Sequence, residues 1–238
     1  DEADLAAAQA AAAAADAVVV VVGTTADEEG EYIPGDLDLG QGEGGPPRRK
    51  SRGGDRRDLR LPAGQADLIR AARKGAGAKP VIVVVVAGSA ILVEEWRAEA
   101  SAILQTFYAG MEGGTALARL LFGEVSPSGL LPFTVATDPA HYPPFDPQAD
   151  SAVYDLWHGY PKLLREGVPP RYAFGHGLSY SRFSTRALKV RRQGDRLRAS
   201  VAVCNMGPMA AAHAVLLFAE MPQQLGARWP RKLVAFAK

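Results

Sequence analysis

Four acidic residues lie within five positions, directly after the first apolar run of the chain. They are Asp27, Glu28, Glu29 and Glu31. Carboxylates this close repel one another, so the least solvated of them keeps its proton to the highest pH. A carboxyl group that is still protonated near neutral pH is suited to general acid catalysis. On the residues alone, a solvated acidic loop without a catalytic role is the alternative.

Further polar residues could serve the same part of the molecule. Asp55 and Arg56 can pair through the planar guanidinium fork, and such a pair would close the segment that begins at the acidic cluster. A direct contact with a ligand is the alternative for both. Ser89 follows the second apolar run and could face the same edge of a sheet, with a plain turn role as its alternative. His176 lies between two glycines, which favours a turn.

Signatures of several other chemistries are missing from the sequence. His141, His158 and His213 have no metal-ligand spacing. The single cysteine, Cys204, excludes an intrachain disulfide framework and a cysteine-based metal cluster. There is no G-x-S-x-G elbow, and no G-x-G-x-x-G follows a strand. We therefore expect no cofactor and no metal.

The elements that must position these residues alternate between strand and helix. The pattern predicts strands at residues 17–22, 81–86, 103–108 and 130–135, and helices at 63–74 and 112–121. This order predicts an α/β fold, a layered αβα sandwich with a mainly parallel sheet. The first strand is expected to be buried on both faces. Because the acidic segment follows that strand, it should leave the sheet at the carboxyl edge, where open α/β folds bind ligands.

The pattern changes after Tyr180. Residues 187–192 and 196–204 alternate as strands around Gly194-Asp195, which is a hairpin signal, and residues 213–219 predict a third strand. A complete sandwich of the immunoglobulin type takes about 100 residues. We therefore predict an α/β domain over residues 1–184 and an incomplete all-β sandwich segment over residues 185–238.

Charge is unevenly distributed along the chain, whose net charge is +1. Residues 185–238 contain ten Lys and Arg against two acidic residues, a net charge of +8, so the remainder carries −7. Packing of an acidic module on a basic one accounts for this. A nucleic-acid surface is the alternative, but no RNA-binding signature supports it. We expect neither a nucleic-acid partner nor a membrane partner, because the apolar runs fall far short of the about 20 residues of a transmembrane helix.

The opening residues are acidic and Ala-rich, without the basic start of a signal peptide and without an initiator Met. We expect the chain to be cut from a longer one, and its composition is compatible with an exported as well as a cytoplasmic protein.

Two strings carry a resemblance to a known family. They are YAGMEGGTALARLLFGEVSPSGLLPFT at residues 108–134 and RYAFGHGLSYSRF at residues 171–183. Both resemble the C-terminal domain of family 3 glycoside hydrolases, enzymes that remove sugars from the non-reducing ends of β-linked glycosides. The resemblance extends, with gaps, over residues 16–183. The tail resembles the fibronectin-III-like domain that often follows in this family, with RWPRKLVAFAK at residues 228–238 matching a strand region.

The resemblance implies roles for the acidic segment. Many members carry a Gly-Glu pair with a Tyr close behind, followed later by Gly-Asp-Arg. The matching residues here are Gly30, Glu31 and Tyr32, and then Gly54, Asp55 and Arg56. This implies that Glu31 is the acid/base and that Tyr32 is an aromatic platform for the leaving-group sugar. The position of Ser89 after the second strand makes it a further candidate substrate contact. Glu29 is the alternative acid/base, because Tyr32 follows Glu31 directly where a glycine often intervenes.

The resemblance also implies a partner domain. In the family the nucleophilic Asp lies in an N-terminal β/α barrel, which supplies most contacts to the sugar and is absent from these 238 residues. The resemblance thus implies the C-terminal part of a retaining β-glycosidase acting on β-glucosides or related glycosides, inactive as this chain alone. The alternatives are a non-catalytic carbohydrate-binding or scaffold domain, and an unrelated α/β hydrolase or nucleotide binder, against which the missing motifs argue.

Overall fold

The computed structural model describes residues 1–25, 56, 58–144, 146, 149–151, 153–220 and 231–238. These residues form two compact units. Unit 1 comprises Asp1–Gly110 and Val135–Arg171, and unit 2 comprises Met111–Thr134 and Tyr172–Lys238. The boundary between residues 184 and 185 rests on the sequence pattern alone. It stays a prediction.

A three-stranded parallel sheet lies at the centre of unit 1. Its strands β1 (Val18–Gly23), β2 (Val81–Val86) and β3 (Ala102–Gln105) follow one another in the order β1-β2-β3. Runs of valine form these strands because β-branched side chains fit the pleated surface. The parallel pairing, together with antiparallel strands later in the chain, confirms the predicted α/β class.

The two faces of the sheet differ in burial at β1. In β2, Val83 and Val84 point to opposite faces and are 0% and 1% exposed. In β1, by contrast, Val19 and Val21 are 44% and 58% exposed. The prediction that β1 is buried on both faces is therefore wrong. The reason is its edge position in the described sheet, where no described residue covers the second face.

Of the helices that the structure describes, α1 (Glu2–Ala14), α2 (Gln65–Ala76) and α4 (Tyr160–Glu166) belong to unit 1 and α3 (Gly113–Leu121) belongs to unit 2. The predicted helix at 63–74 is confirmed as α2, two residues later. α1 was not predicted. It begins with a capping box, in which the carboxylate of Asp1 accepts from the Asp4 N–H and that of Asp4 accepts from the terminal amine.

Gly75 marks a close approach of α1 and α2. A Cβ built on Gly75 would overlap the backbone carbonyl oxygen of Gln9 and lie 3.0 Å from the Cβ of Ala12. Because the obstacle is backbone, a side-chain rotation cannot relieve the overlap. The absence of a side chain at Gly75 is what allows the two helices to pack at this distance.

Gly75→Ala is therefore expected to lower the free energy of unfolding by about 1–3 kcal/mol, the usual cost of overpacking. Gly114→Ala in α3 is the matched control, because no atom lies within 4 Å of its added Cβ. That variant should gain up to about 1 kcal/mol from helix propensity. Thermal unfolding of both variants measures the difference, and a Gly75→Ala protein as stable as the Gly114→Ala protein would contradict the close packing.

The predicted strand at residues 130–135 is wrong. Only Val135 takes part in a bridge, and the rest of the segment has no strand pairing. The Leu131 N–H donates to the carbonyl oxygen of His176 (2.8 Å), and the Leu131 carbonyl accepts from the N–H of Gly175 (2.8 Å). Pro132 then interrupts the ladder, since it has no N–H to donate. The segment is a short extended contact and not a strand of the sheet.

The described residues of unit 2 form two antiparallel pairs of strands. β4 (Phe183–Gln193) and β5 (Arg196–Asn205) form the first, and β6 (Val215–Ala219) and β7 (Lys232–Ala237) form the second. The hairpin at Gly194-Asp195 is confirmed, with φ of 66° at Gly194, a value that glycine adopts without strain. The fibronectin-III-like assignment of this region stays a prediction.

Candidate active site at the carboxyl edge of the sheet

β1 ends at the carboxyl edge of the sheet, and the acidic cluster follows it in the sequence. The N–H of Thr24, the first residue after β1, donates to the carbonyl oxygen of Val86 at the end of β2 (3.0 Å). The structure describes the chain as far as Thr25 and next describes Arg56. Six of the acidic and loop residues singled out in the sequence lie outside the described residues, and their roles stay predictions: Asp27, Glu28, Glu29, Glu31, Tyr32 and Asp55.

Arg56, the first described residue after this segment, is hydrogen-bonded to the same edge of the sheet. Its Nη2 donates to the Ser89 hydroxyl (2.5 Å) and to the carbonyl oxygen of Ala90 (3.0 Å). Ser89 and Ala90 follow β2 by a few residues. Two residues singled out separately in the sequence, Arg56 and Ser89, are therefore in direct contact. Thr24 and Arg56, described residues on either side of residues 26–55, therefore both contact the carboxyl edge of the sheet.

A half-buried tyrosine lies near the Arg56 guanidinium. The Tyr142 hydroxyl accepts a hydrogen bond from the backbone N–H of Ala136 (2.9 Å). Burial raises the pKa of Tyr142 above its ordinary value of 10.0, although this hydrogen bond and the positive charge of Arg56 oppose the shift. Tyr142 is therefore a neutral phenol at physiological pH and adds no negative charge beside Arg56.

The end of β1 is fixed by a side-chain amide. The Gln65 Oε1 accepts from the Gly23 N–H (2.7 Å), and the Gln65 Nε2 donates to the Gly23 carbonyl (2.8 Å). A Cβ on Gly23, whose φ is 153°, would overlap the carbonyl oxygen of Val86. Gln65 is the first residue of α2. One side chain thus joins the last residue of β1 to the start of α2.

A pair of hydroxyl groups spans the same edge. The Thr24 Oγ1 lies 2.9 Å from the Tyr108 Oη, although β2 separates the strands that precede these residues. Thr24 is 5% exposed and Tyr108 is 55% exposed. Phe107 has φ of 53°, a conformation that bulky residues rarely adopt. Sequence reasoning missed Gln65, Thr24 and Tyr108. Thr24 lies two positions after the strand predicted at residues 17–22, and Tyr108 ends the strand predicted at residues 103–108.

Several ion pairs lie in unit 1 close to the residues that follow Arg56 in sequence or to the stretch after β2. Arg60 pairs with Asp58 (2.8 Å) and with Glu95 (3.0 Å), and Arg171 binds Glu94 through two hydrogen bonds (2.5 and 2.9 Å). The hydrogen bonds from Arg171 lower the pKa of Glu94, against a smaller opposing effect of burial. This ion pair therefore persists to a lower pH than the ordinary titration of a glutamate would allow.

The two strings that carry the family resemblance contact each other within unit 2. The hydroxyl groups of Ser126 and Ser179 lie 2.8 Å apart, and the Ser126 hydroxyl accepts from the Tyr180 N–H (2.9 Å). The Tyr180 hydroxyl donates to the carbonyl oxygen of Leu120 in α3 (2.9 Å). His176 follows the turn at Gly175, whose φ is 81°, and its ring stacks on that of Tyr172. These contacts give the residues involved a structural role in unit 2.

In the part of the chain that the structure describes, no group of three or more His, Cys, Asp or Glu side chains is placed to hold a metal ion. No described helix combines the length and apolarity that crossing a bilayer requires.

The fold defines an α/β domain, and comparison with known proteins gives its family. Residues 2–180 match the model of the glycosyl hydrolase family 3 C-terminal domain. A β-glucosidase of Rhizobium radiobacter is 34% identical over 201 residues, which are 79% of this chain and 24% of that protein. The chain spans about a quarter of the length of the curated relatives it matches.

Solved structures agree with the sequence match. The β-D-glucoside glucohydrolase of Trichoderma reesei has a TM-score of 0.81 at 26% identity, over 98% of this chain and 34% of that one. The β-glucosidase 3B of Thermotoga neapolitana in complex with glucose has a TM-score of 0.77 at 29% identity, over 97% of this chain and 31% of that one. The chain belongs to glycoside hydrolase family 3 and is related to β-glucosidases through its C-terminal domain.

Proposed function

We propose that this chain is the C-terminal part of a retaining β-glycosidase, to which it contributes the general acid/base. The enzyme hydrolyses O-glycosidic bonds at the non-reducing ends of β-glucosides or related glycosides. One observation carries the proposal: in a family 3 C-terminal domain, β1 ends at the carboxyl edge of the sheet, and the acidic residues follow it a few positions later in the sequence. The solved relative that holds glucose supports the class of substrate.

The proposed roles divide between chemistry and positioning. Glu31 is the acid/base, with Glu29 as the alternative, and Tyr32 is the platform for the leaving-group sugar. Asp55 and Arg56 close the loop. The hydrogen bonds from Arg56 to Ser89 and Ala90 support that role, because they fix the loop's end beside β2. Ser89, at the same edge, is a substrate contact on this proposal.

The chemistry needs a second carboxylate, which comes from the N-terminal β/α barrel on this proposal. As the bond between the anomeric carbon and the glycosidic oxygen breaks, Glu31 transfers its proton to the departing oxygen. The barrel carboxylate attacks the anomeric carbon and forms a covalent glycosyl-enzyme. Glu31, now ionised, then takes a proton from the water that hydrolyses this intermediate. A retaining arrangement places the two carboxyl groups about 5–5.5 Å apart.

The stereochemistry of the product tests this proposal. Proton NMR of the first turnovers on an aryl β-glucoside, by the enzyme that carries this chain after a barrel, should show the β-anomer of the sugar appearing before mutarotation. The α-anomer appearing first would contradict retention, since inversion uses a water molecule between carboxyl groups about 6.5–9.5 Å apart. An enzyme with no glycosidase activity on any β-glycoside tried would favour the binding or scaffold alternative instead.

A further inference from the structure

The hairpin of β4 and β5 sorts its side chains into a basic face and an apolar face. Val190 lies opposite Ala199 and Arg192 opposite Leu197, whereas Arg191 lies opposite Arg198. Because side chains alternate along a strand, the pairs fall on two different faces. The residues of the basic face are Arg186, Lys189, Arg191, Arg196 and Arg198, and the apolar face includes Val190, Leu197, Ala199 and Val203.

A β-bulge keeps these basic residues in phase. Arg186 and Lys189 are three positions apart, a spacing that puts side chains on opposite faces of a regular strand. Here Arg186 pairs with Ala202 and Lys189 pairs with Ser200, so β4 contains one more residue than β5 over this stretch. The bulged stretch between Arg186 and Lys189 contains Ala187, whose φ of 57° is strained for a residue with a side chain. Without the bulge, Arg186 would lie on the apolar face.

The basic face has no counter-charge among the described residues. All five of its basic side chains are exposed, and none of them takes part in an ion pair of the described structure. Asp195, in the turn, is the single acidic residue between Phe183 and Asn205. Like charges directly opposite each other, as in Arg191 and Arg198, destabilise a pair of strands. An anion bound to this face would remove that repulsion.

We propose that this basic face, defined by the five residues above, binds an acidic polysaccharide. Sugar carboxylates suit the guanidinium groups, which offer paired N–H donors in a planar fork. The ring of Phe183, the one aromatic residue of the hairpin, stacks on His213, so the face lacks the stacking platforms that single-stranded nucleic acids require. A membrane surface is disfavoured because the apolar side chains lie on the opposite face.

The choice of a polysaccharide over duplex DNA or an acidic protein rests on the proposed function, which brings the chain to β-linked glycans. The binding surface lies entirely within unit 2 and uses none of the residues assigned to catalysis. The surface would hold the enzyme near a substrate embedded in acidic material, and its affinity should fall as salt is added.

Titration of the complete 238-residue chain with polygalacturonate at low salt tests this proposal. The chain should bind polygalacturonate and not a neutral β-glucan of similar length. Arg191→Thr with Arg198→Thr should weaken binding about tenfold or more, since both substitutions remove charge-assisted hydrogen bonds to the sugar carboxylates. Threonine preserves strand propensity. The matched control, Lys74→Thr with Arg182→Thr, removes the same charge elsewhere and should bind like the unmodified chain.

Further variants and further ligands distinguish this proposal from its alternatives. Arg191→Lys with Arg198→Lys should keep most of the affinity, and circular dichroism should show that all the variants fold. No binding of polygalacturonate by the unmodified chain would overturn the proposal, and so would an equal loss in the control. Tighter binding of duplex DNA or polyglutamate would assign the face to a different partner. Hydrolysis is not measured, so failure here leaves the proposed glycosidase function standing.

Discussion

Glu31→Gln in the enzyme that carries this chain should slow hydrolysis of alkyl and oligosaccharide β-glucosides by about 10²–10⁴-fold. Glutamine preserves the size of the side chain and removes the proton that the departing oxygen needs. A nitrophenyl β-glucoside should be affected much less in the glycosylation step, because its leaving group departs without protonation. Steady-state kinetics on both kinds of substrate measure the selectivity of the loss.

Glu29→Gln is the matched control for Glu31→Gln, since the two residues lie in the same segment and differ by two positions. Glu29→Gln should leave the rates of hydrolysis of both kinds of substrate nearly unchanged. If the selective loss follows Glu29→Gln instead, the acid/base role moves to Glu29. Equal losses on both substrates in the Glu31→Gln enzyme would argue that this residue binds or supports the sugar and does not transfer a proton.

The 238-residue chain by itself should show no measurable turnover of β-glucosides. On the proposed mechanism it supplies the acid/base without the nucleophile and without the sugar pocket of the barrel. Holding reacting groups in place accounts for about 7–11 kcal/mol of a catalysed barrier, and this contribution is lost when one group stands alone. Discontinuous assay of released glucose over long incubation measures the residual rate.

A pure, folded chain that hydrolyses an aryl β-glucoside would contradict this expectation, provided that the activity disappears in a Glu31→Gln chain made in the same way. The second condition excludes a contaminating glycosidase, whose activity the substitution would not change. Joining the barrel domain to the chain is the positive control and should restore turnover.

The fold was predictable where local sequence decides the structure. Runs of valine gave β1 and β2, and Gly194-Asp195 gave the hairpin, because these signals need no knowledge of distant residues. α1 was missed although its alanines favour a helix, since it lacks the apolar periodicity by which helices were recognised. The strand at residues 130–135 failed for a different reason. Pro132, which has no N–H to donate, ends the short ladder that Leu131 makes with Gly175 and His176, some 45 residues away in sequence.

The site was predictable in part for the same reason. An acidic segment after a strand predicts a site at the carboxyl edge of a sheet, and the structure shows that Thr24, the residue after β1, lies at that edge. The contact between Arg56 and Ser89 joins residues 33 positions apart, and that between Thr24 and Tyr108 joins residues 84 positions apart. No local pattern encodes such distances, so these pairs became visible only once the sheet had brought their strands together.

The amide of Gln65 has a consequence for how this domain can vary. It joins the end of β1 to the start of α2, 42 residues later, without using any residue between them. The intervening stretch therefore behaves as an insert between two points that are already fixed. Doubling the length of such an insert costs only about 0.6 kcal/mol of closure entropy. The framework can thus accept intervening stretches of different length and composition without a matching loss of stability.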